Sequence, residues 1–219
     1  MSMIQLQDLC AVINGTSRYN GNTFDTVRVE ILLVTNEPIA ADQYWYVPAG
    51  VTVPPAVLEI LKLANLPMYP TSEANLLQGI DDIKQQAENG NLQEVINDSA
   101  RLMLLSVLKK VALTPVPGSS NLYLLSYDYK LYPLKDEPNM YEFKVVLPFD
   151  GLQLNPSGGR VQVTLVTPID SVVDPEYTKG VDVNGTELAE LVKPIENTRR
   201  QLVAFEYHLD PEFTVRYKY

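Results

Sequence analysis

The sequence predicts an α+β fold: mainly antiparallel β-sheet or sandwich, with a helical hairpin block packed on one side. Three observations carry this expectation. After Pro117 apolar residues recur at every second position in one stretch after another, the period of a strand. Between Pro55 and Leu113 the period is that of a helix. The later strand segments follow one another without crossover helices, which favours antiparallel pairing. The domain organisation this implies is a β-rich domain made of residues 1–54 and 114–219, with a helical insertion at 55–113.

Taken in order, Leu6, Leu9, Cys10 and Ile13 fall at helical spacing before Asn14-Gly15, which predicts a first helix, although Ile4 and Leu6 also fit strand alternation. Thr16–Phe24 is rich in Asn, Gly, Ser and Thr and reads as a loop. Val27, Val29, Ile31 and Leu33 alternate with Arg28 and Glu30, a strand with its apolar face inward. A second strand is expected at Gln43–Val47, and Pro54-Pro55 opens a helix that Pro67 and Pro70 end. A further helix is expected from Thr71 or Ser72 to Glu88, with Leu76, Leu77, Ile80, Ile83 and Ala87 on one face. The stretch Asn91–Leu113 is expected to be the central, buried helix, roughly 20 residues and about 30 Å long. Asn91 and Glu94 have the spacing of a capping box, Lys109 and Lys110 suit a helix C-terminus, and Pro115 forbids continuation. Asn89-Gly90 between the two helices predicts an antiparallel helical hairpin.

Tyr123, Leu125, Tyr127, Tyr129 and Leu131 then share one strand face. Tyr141, Phe143, Val145 and Leu147 share another, opposite Glu142 and Lys144, and Val161, Val163 and Leu165 a third. Asp150–Gly159 reads as a hairpin-type link between the last two, Pro168–Gly185 as a long acidic loop, and Thr186–Val192 as one or two helical turns. Val203, Phe205, Tyr207 and Leu209 alternate, Asp210-Pro211 turns, and Phe213, Val215, Tyr217 and Tyr219 alternate again. A strand running to the last residue is expected to be paired, in its own sheet or by a neighbouring chain.

Composition narrows the function classes. The chain has 219 residues, is 46% hydrophobic and 20% charged, and carries a formal net charge of -10, so it has globular composition and should be repelled by phosphate backbones and anionic membranes. The basic pairs Lys109-Lys110 and Arg199-Arg200 are too short for a nucleic-acid surface. One cysteine, Cys10, excludes an intrachain disulfide and a cysteine-based metal site. Residues 1–8 lack a basic segment leading into an apolar core, and Leu102–Leu108 is too short to span a bilayer, so a soluble protein of cytoplasm or virion is expected.

The reactive groups form no recognisable constellation. His208, the sole histidine, falls on the solvent side of its strand with Glu206, and no Gly-x-Ser-x-Gly, phosphate loop or dinucleotide fingerprint is present. Cys10 has no cationic neighbour in sequence to lower its pKa. Gly158-Gly159 before Arg160 is better explained as a loop entering a strand, Asp81-Asp82 as a solvated helix face, and Asp136-Glu137 as a loop. Asp182, Asn184, Gly185 and Glu187 superficially resemble a calcium loop but depart from its spacing; with Asp170, Asp174 and Glu176 they make an acidic stretch, Asp170–Glu190, that fits either a weakly held hard cation or a solvated loop. Three sequon matches, at Asn14, Asn97 and Asn184, are read as chance.

Thirteen tyrosines against five phenylalanines is an unusual balance. A tyrosine buries its ring and keeps its hydroxyl wet, so these residues either line a core with hydroxyls at its rim or meet another subunit. The candidate interaction residues are accordingly Tyr44, Trp45 and Tyr46, as a platform or as a plug in the end of a sheet, together with Tyr217 and Tyr219. No catalytic, cofactor-binding or metal-ligating residue is assigned. The function expected is a non-enzymatic structural or assembly subunit of a large complex, with a bacteriophage or virus-like particle component (head, neck or tail) as the leading instance. Its partners would be other protein subunits, not nucleic acid or membrane. The alternative is a β-sandwich module binding carbohydrate or a partner through Trp45 and its neighbouring tyrosines; a metal-dependent hydrolase comes third.

Overall fold

The computed structural model describes residues 3–63, 68–78, 80–209 and 211–219. In chain order these form β1 (Met3–Asn14), β2 (Asp25–Thr35), β3 (Tyr44–Pro48), α1 (Pro55–Leu63), β4 (Thr71–Ser72), α2 (Glu73–Leu77), a 3-10 turn (Ile80–Asp82), α3 (Ile83–Glu88), α4 (Leu92–Leu105) and β5 (Leu108–Ala112). There follow β6 (Leu122–Leu131), β7 (Met140–Val146), β8 (Gln153–Leu154), β9 (Arg160–Val166), β10 (Val172–Val173), β11 (Lys179–Asp182), β12 (Glu187–Leu188), β13 (Leu191–Ile195), β14 (Arg200–Tyr207) and β15 (Pro211–Lys218). The fold is α+β and mainly β. Pro67 and Asp210, expected to end a helix and open a turn, lie outside the described residues, as does the side chain of Asp81.

Two sheets share one core. The larger runs β13-β14-β9-β1-β2-β6, with β8 also pairing with β1; the smaller runs β10-β15-β11-β12, with β7 on the other side of β15. Pairing is antiparallel except that β1 runs parallel to β8 and β9. Every second residue of the main strands enters the shared core. Leu9, Ala11 and Ile13 of β1 meet Val27, Val29 and Ile31 of β2, Val163 and Leu165 of β9, and Phe143, Phe213 and Val215 from the smaller sheet. Phe205 and Phe213 meet across the two sheets with centroids 4.9 Å apart. Hydrophobic burial of this kind is worth about 1.5–3 kcal/mol per large side chain, which makes the sandwich the main source of stability.

A third sheet, β4-β3-β5, joins the helices to the sandwich. Its central strand β3 divides its side chains: Trp45 and Val47 enter the sandwich core, while Tyr46 packs on a second cluster made by Val53, Leu61, Leu76, Leu104 and Val107. The pairing of β3 with β5, from Tyr44↔Ala112 to Pro48↔Leu108, crosses the boundary expected at residues 54 and 55.

Several sequence expectations give way. Met3–Asn14 is a strand, not a helix, because β1 lies inside the larger sheet between β2 and β9. Apolar residues on both of its faces imitate helical spacing. Asn91–Leu113 is not one central helix. It ends at Leu105 after 14 residues, and Leu108–Ala112 pairs with β3 instead, a sheet edge that β-branched Val111 suits. The Asn91 side chain makes no cap bond, and within α4 only Asp98, Ala100 and Leu104 are buried. The helix expected over Ser72–Glu88 is divided: α2 ends at Leu77, Gln78 has left helical geometry, and α3 runs only from Ile83 to Glu88. Ser72 does cap α2, its side chain accepting from the Asn75 amide. Thr186–Val192 contributes to β12 and β13 rather than to a helix, since Leu188 and Val192 alternate into the sheets. Asp150–Gly159 joins strands of different sheets, so it does not make a hairpin.

Candidate interaction surface

Tyr123, Tyr127, Tyr129, Tyr141 and Tyr217 face inward, whereas Tyr19, Tyr44 and Tyr177 are exposed, and hydroxyl contacts explain why the sequence uses tyrosine at inward positions. Tyr123 is 1% exposed, and its hydroxyl accepts from the Ile39 amide (2.8 Å) and donates to the Ser120 carbonyl (3.1 Å). The Tyr132 hydroxyl accepts from the Val53 amide at 2.9 Å. Each ring fills core volume and each hydroxyl ties down a loop, satisfying backbone groups that burial would otherwise strand.

Tyr217 and Tyr219 do the same at one end of the sandwich. Asp25 opens β2 fully buried, and one of its carboxylate oxygens accepts from the hydroxyls of Tyr217 (2.6 Å) and Tyr219 (2.8 Å). The other accepts from the Ser17 amide at 3.0 Å. Tyr141 stacks on Tyr217 with centroids 5.3 Å apart, and the Arg18 guanidinium lies 4.4 Å from the centroid of the Tyr219 ring. Gly15 leaves room for this arrangement: a Cβ there would sit 2.5 Å from the Tyr219 hydroxyl. Burial first, then the Asp25 carboxylate, drives both phenols to ionise well above the usual tyrosine range. Tyr217 is wholly buried and Tyr219 half-buried, so the pair anchors the last strand to β2 and offers little surface to a partner.

Trp45 is a plug. It is wholly buried against Phe149, with its indole N–H donating to the Asp150 carbonyl at 3.0 Å. The Asp150 carboxylate in turn accepts from the Ser72 hydroxyl (2.7 Å) and amide (3.1 Å), which clamps the end of the sandwich to β4. A sugar-stacking platform at Tyr44, Trp45 and Tyr46 is therefore not formed. Tyr44 is partly exposed beneath the Lys110 ammonium, 4.4 Å from its ring centroid, and Tyr46 is half-buried toward the helices.

Asp174 and Asp182 of the acidic stretch are held by neighbouring backbone amides, while Asp170 and Glu187 pair with cations. Asp182 accepts from the amides of Asn184 and Thr186, both at 2.8 Å, and these bonds, Thr186 first, hold its carboxyl below the usual range. Asp174 accepts from the Glu176 amide, and Asp170 pairs with Arg199 at 2.9 Å. Among the described residues no three His, Cys, Asp or Glu side chains converge as metal ligands would. His208 is exposed, its Nδ1 3.2 Å from the Gly159 carbonyl. A cleft of about 610 Å³ lies between α1, the segment after β6 and the outer face of the smaller sheet. Three ion pairs involve its charged walls: Arg216 with Glu142 at 2.7 Å, Lys144 with Glu212, and Lys135 with the neighbouring Glu59 at 3.6 Å.

The outer face of the larger sheet differs from all of these. Register places its side chains in rows that run across the strands. Leu202, Val166, Val12, Arg28 and Asp128 form one row, and Ala204, Thr164, Cys10, Glu30 and Ser126 the next. Glu206, Gln162, Asp8, Leu32 and Leu124 form a third; Arg160, Leu6, Val34 and Leu122 a fourth. Leu191 and Lys193 extend the first two rows onto β13. None of these side chains is buried, and Val12, Leu124 and Leu191 are 40, 62 and 44% exposed. Two aliphatic patches result at opposite corners, one around Val12, Val166 and Leu202, the other around Leu32, Val34 and Leu124. Arg28 bonds Glu30 at 3.1 Å, and Arg160 approaches Glu206 to 3.8 Å. Cys10 lies near the middle of the face, exposed, its thiol pushed up by partial burial, then by Asp8 and Glu30, so it is a poor nucleophile.

Sequence reasoning missed this surface because it followed the inward residues alone. A signal was available. A strand with one wet face alternates, whereas a strand covered on both faces reads as a continuous apolar run. Leu9–Ile13, Ile31–Val34, Leu122–Leu125 and Leu202–Phe205 are such runs.

Among known proteins, no family model matches the chain and no curated protein is similar to it. Among the described residues no helix is long and apolar enough to cross a membrane.

Proposed function

We propose that this protein is a non-enzymatic assembly subunit that works through the outer face of its larger sheet. The observation supporting this reading is that open face, built from strands whose sequences are those of a sheet covered on both sides. The engagement of Asp25, Glu142 and Asp182 in internal bonds fits the same reading, because these carboxylates are held in structural contacts. A particle component, such as a bacteriophage head, neck or tail protein, is the class of complex that best suits a rigid acidic sandwich of this size.

The test is light scattering and negative-stain microscopy on the purified chain, alone and mixed with the structural proteins encoded beside its gene. Association with itself or with one of them is the expected result. A strict monomer that binds none of them overturns the reading.

A further inference from the structure

Resting on that assembly reading, we infer that the partner on the outer face of the larger sheet is a second copy of this chain, stacked face to face. Three properties of the face select this occupant.

The first is area. Six strands at about 4.8 Å spacing, and about six residue steps of 3.4 Å from Leu6 to Val12, give roughly 800 Å² once the outermost side chains are included. A stable complex buries about 800 Å² on each partner.

The second is charge. The whole chain carries -10, so two copies repel wherever their general surfaces approach. The rows described above hold Arg28, Arg160 and Lys193 against Asp8, Glu30, Asp128 and Glu206: three cations and four carboxylates, a net of -1. Copies of an acidic chain meet at least electrostatic cost on such a near-neutral face. A nucleic acid or an anionic membrane finds no positive field there.

The third is self-complementarity. A two-fold interface brings one surface patch against itself. With the two-fold axis along the diagonal joining the two aliphatic corners, each aliphatic patch meets its own copy. The Arg28–Glu30–Asp128 corner then meets the Arg160–Glu206–Asp8 corner, so each arginine gains a carboxylate of the other chain.

The experiment is sedimentation equilibrium of the full chain across a concentration series, compared with Val12→Arg/Leu124→Glu. Both substituted side chains are exposed in the single chain and sit in opposite aliphatic corners. Leu92→Glu, on an exposed helix position, is the control. Reaction of Cys10 with a bulky maleimide reports on the face directly, because Cys10 is the only cysteine. The wild type and Leu92→Glu are expected to sediment at twice 24.5 kDa and to protect Cys10 as concentration rises. The double variant is expected to remain monomeric, with an unchanged circular-dichroism spectrum and a Cys10 that reacts at the same rate at every concentration. Its dissociation constant should rise at least about a hundredfold, since stacking buries unpaired charge. A wild type that is monomeric at every concentration overturns the inference. So does a dimer that survives the double substitution with Cys10 still reactive. If the monomeric chain nonetheless binds a different structural protein, the self-stacking inference falls and the assembly reading stands.

Discussion

Replacing Asp25 with alanine should be among the most damaging single changes in this protein. Its carboxylate accepts three hydrogen bonds, from Ser17, Tyr217 and Tyr219, and its exposure is 0%. Alanine strands two fully buried donors, the Tyr217 hydroxyl and the Ser17 amide, at about 1–3 kcal/mol each. Tyr219 is half-buried and recovers water. Removing a buried charge returns part of this, so a net loss of about 3 kcal/mol is expected, against a total stability of about 5–15 kcal/mol. Urea unfolding followed by circular dichroism, with the slope checked for constancy, measures it. The decisive comparison is a cycle with Tyr217→Phe. When the hydroxyl is already gone, Asp25→Ala should cost at least about 1 kcal/mol less than in the wild type, because donor and acceptor have been removed together. A loss below about 0.5 kcal/mol, or additive losses in the cycle, would refute the account of Asp25 as the acceptor that anchors the last strand.

Three further outcomes follow from the same structure. The buried phenols of Tyr127, Tyr129, Tyr217 and Tyr219 ionise above the ordinary tyrosine range, chiefly through burial. Above about pH 10 the unfolded chain loses these protons while the folded chain keeps them, so the unfolded state binds fewer and stability falls as pH rises; thermal melts at pH 8, 9.5 and 11 check the sign, and a flat profile refutes it. Trp45→Ala should cost about 3–5 kcal/mol, and fluorescence of the sole tryptophan should shift to the red only on unfolding, whereas an exposed-type emission in the native state would contradict the plug. Leu104→Ala in α4 should cost about 2–5 kcal/mol while Leu92→Ala, 71% exposed, should stay within about 0.5 kcal/mol, as paired melting curves will show.

The sequence made the sandwich legible where strands alternate cleanly. Val27–Leu33, Tyr123–Leu131, Tyr141–Val145 and Phe213–Tyr217 present the faces their period-two spacing predicts. It hid what depends on partners distant in the chain. The identity of β1 is set by β2, 12 to 31 residues away by register, and by β9, 154 residues away, and Leu108–Ala112 becomes a strand because β3 supplies its pairing edge. Local periodicity carries no record of either neighbour. The inward tyrosines were visible as a pattern, but the choice between core and interface turned on Asp25, whose acceptor role appears only when β2 and β15 are brought together.

The placement of residue types bears on how the proposed stacking would work. Tyrosine and tryptophan dominate strong interfaces, but here Trp45, Tyr123, Tyr127, Tyr129, Tyr141 and Tyr217 lie inside the molecule. The outer face holds leucine, valine, alanine and paired charges, with no aromatic anchor in any of its rows. A face of standard area without anchors gains from exclusion of water over many small side chains and pays the usual loss of translational freedom, so a single contact is weak. Weak, self-complementary contacts become secure when a subunit is held by several neighbours at once, because each further contact forms at high effective concentration. A surface of this composition therefore gives a dimer that dissociates measurably on dilution and is secured further where each subunit also touches other neighbours.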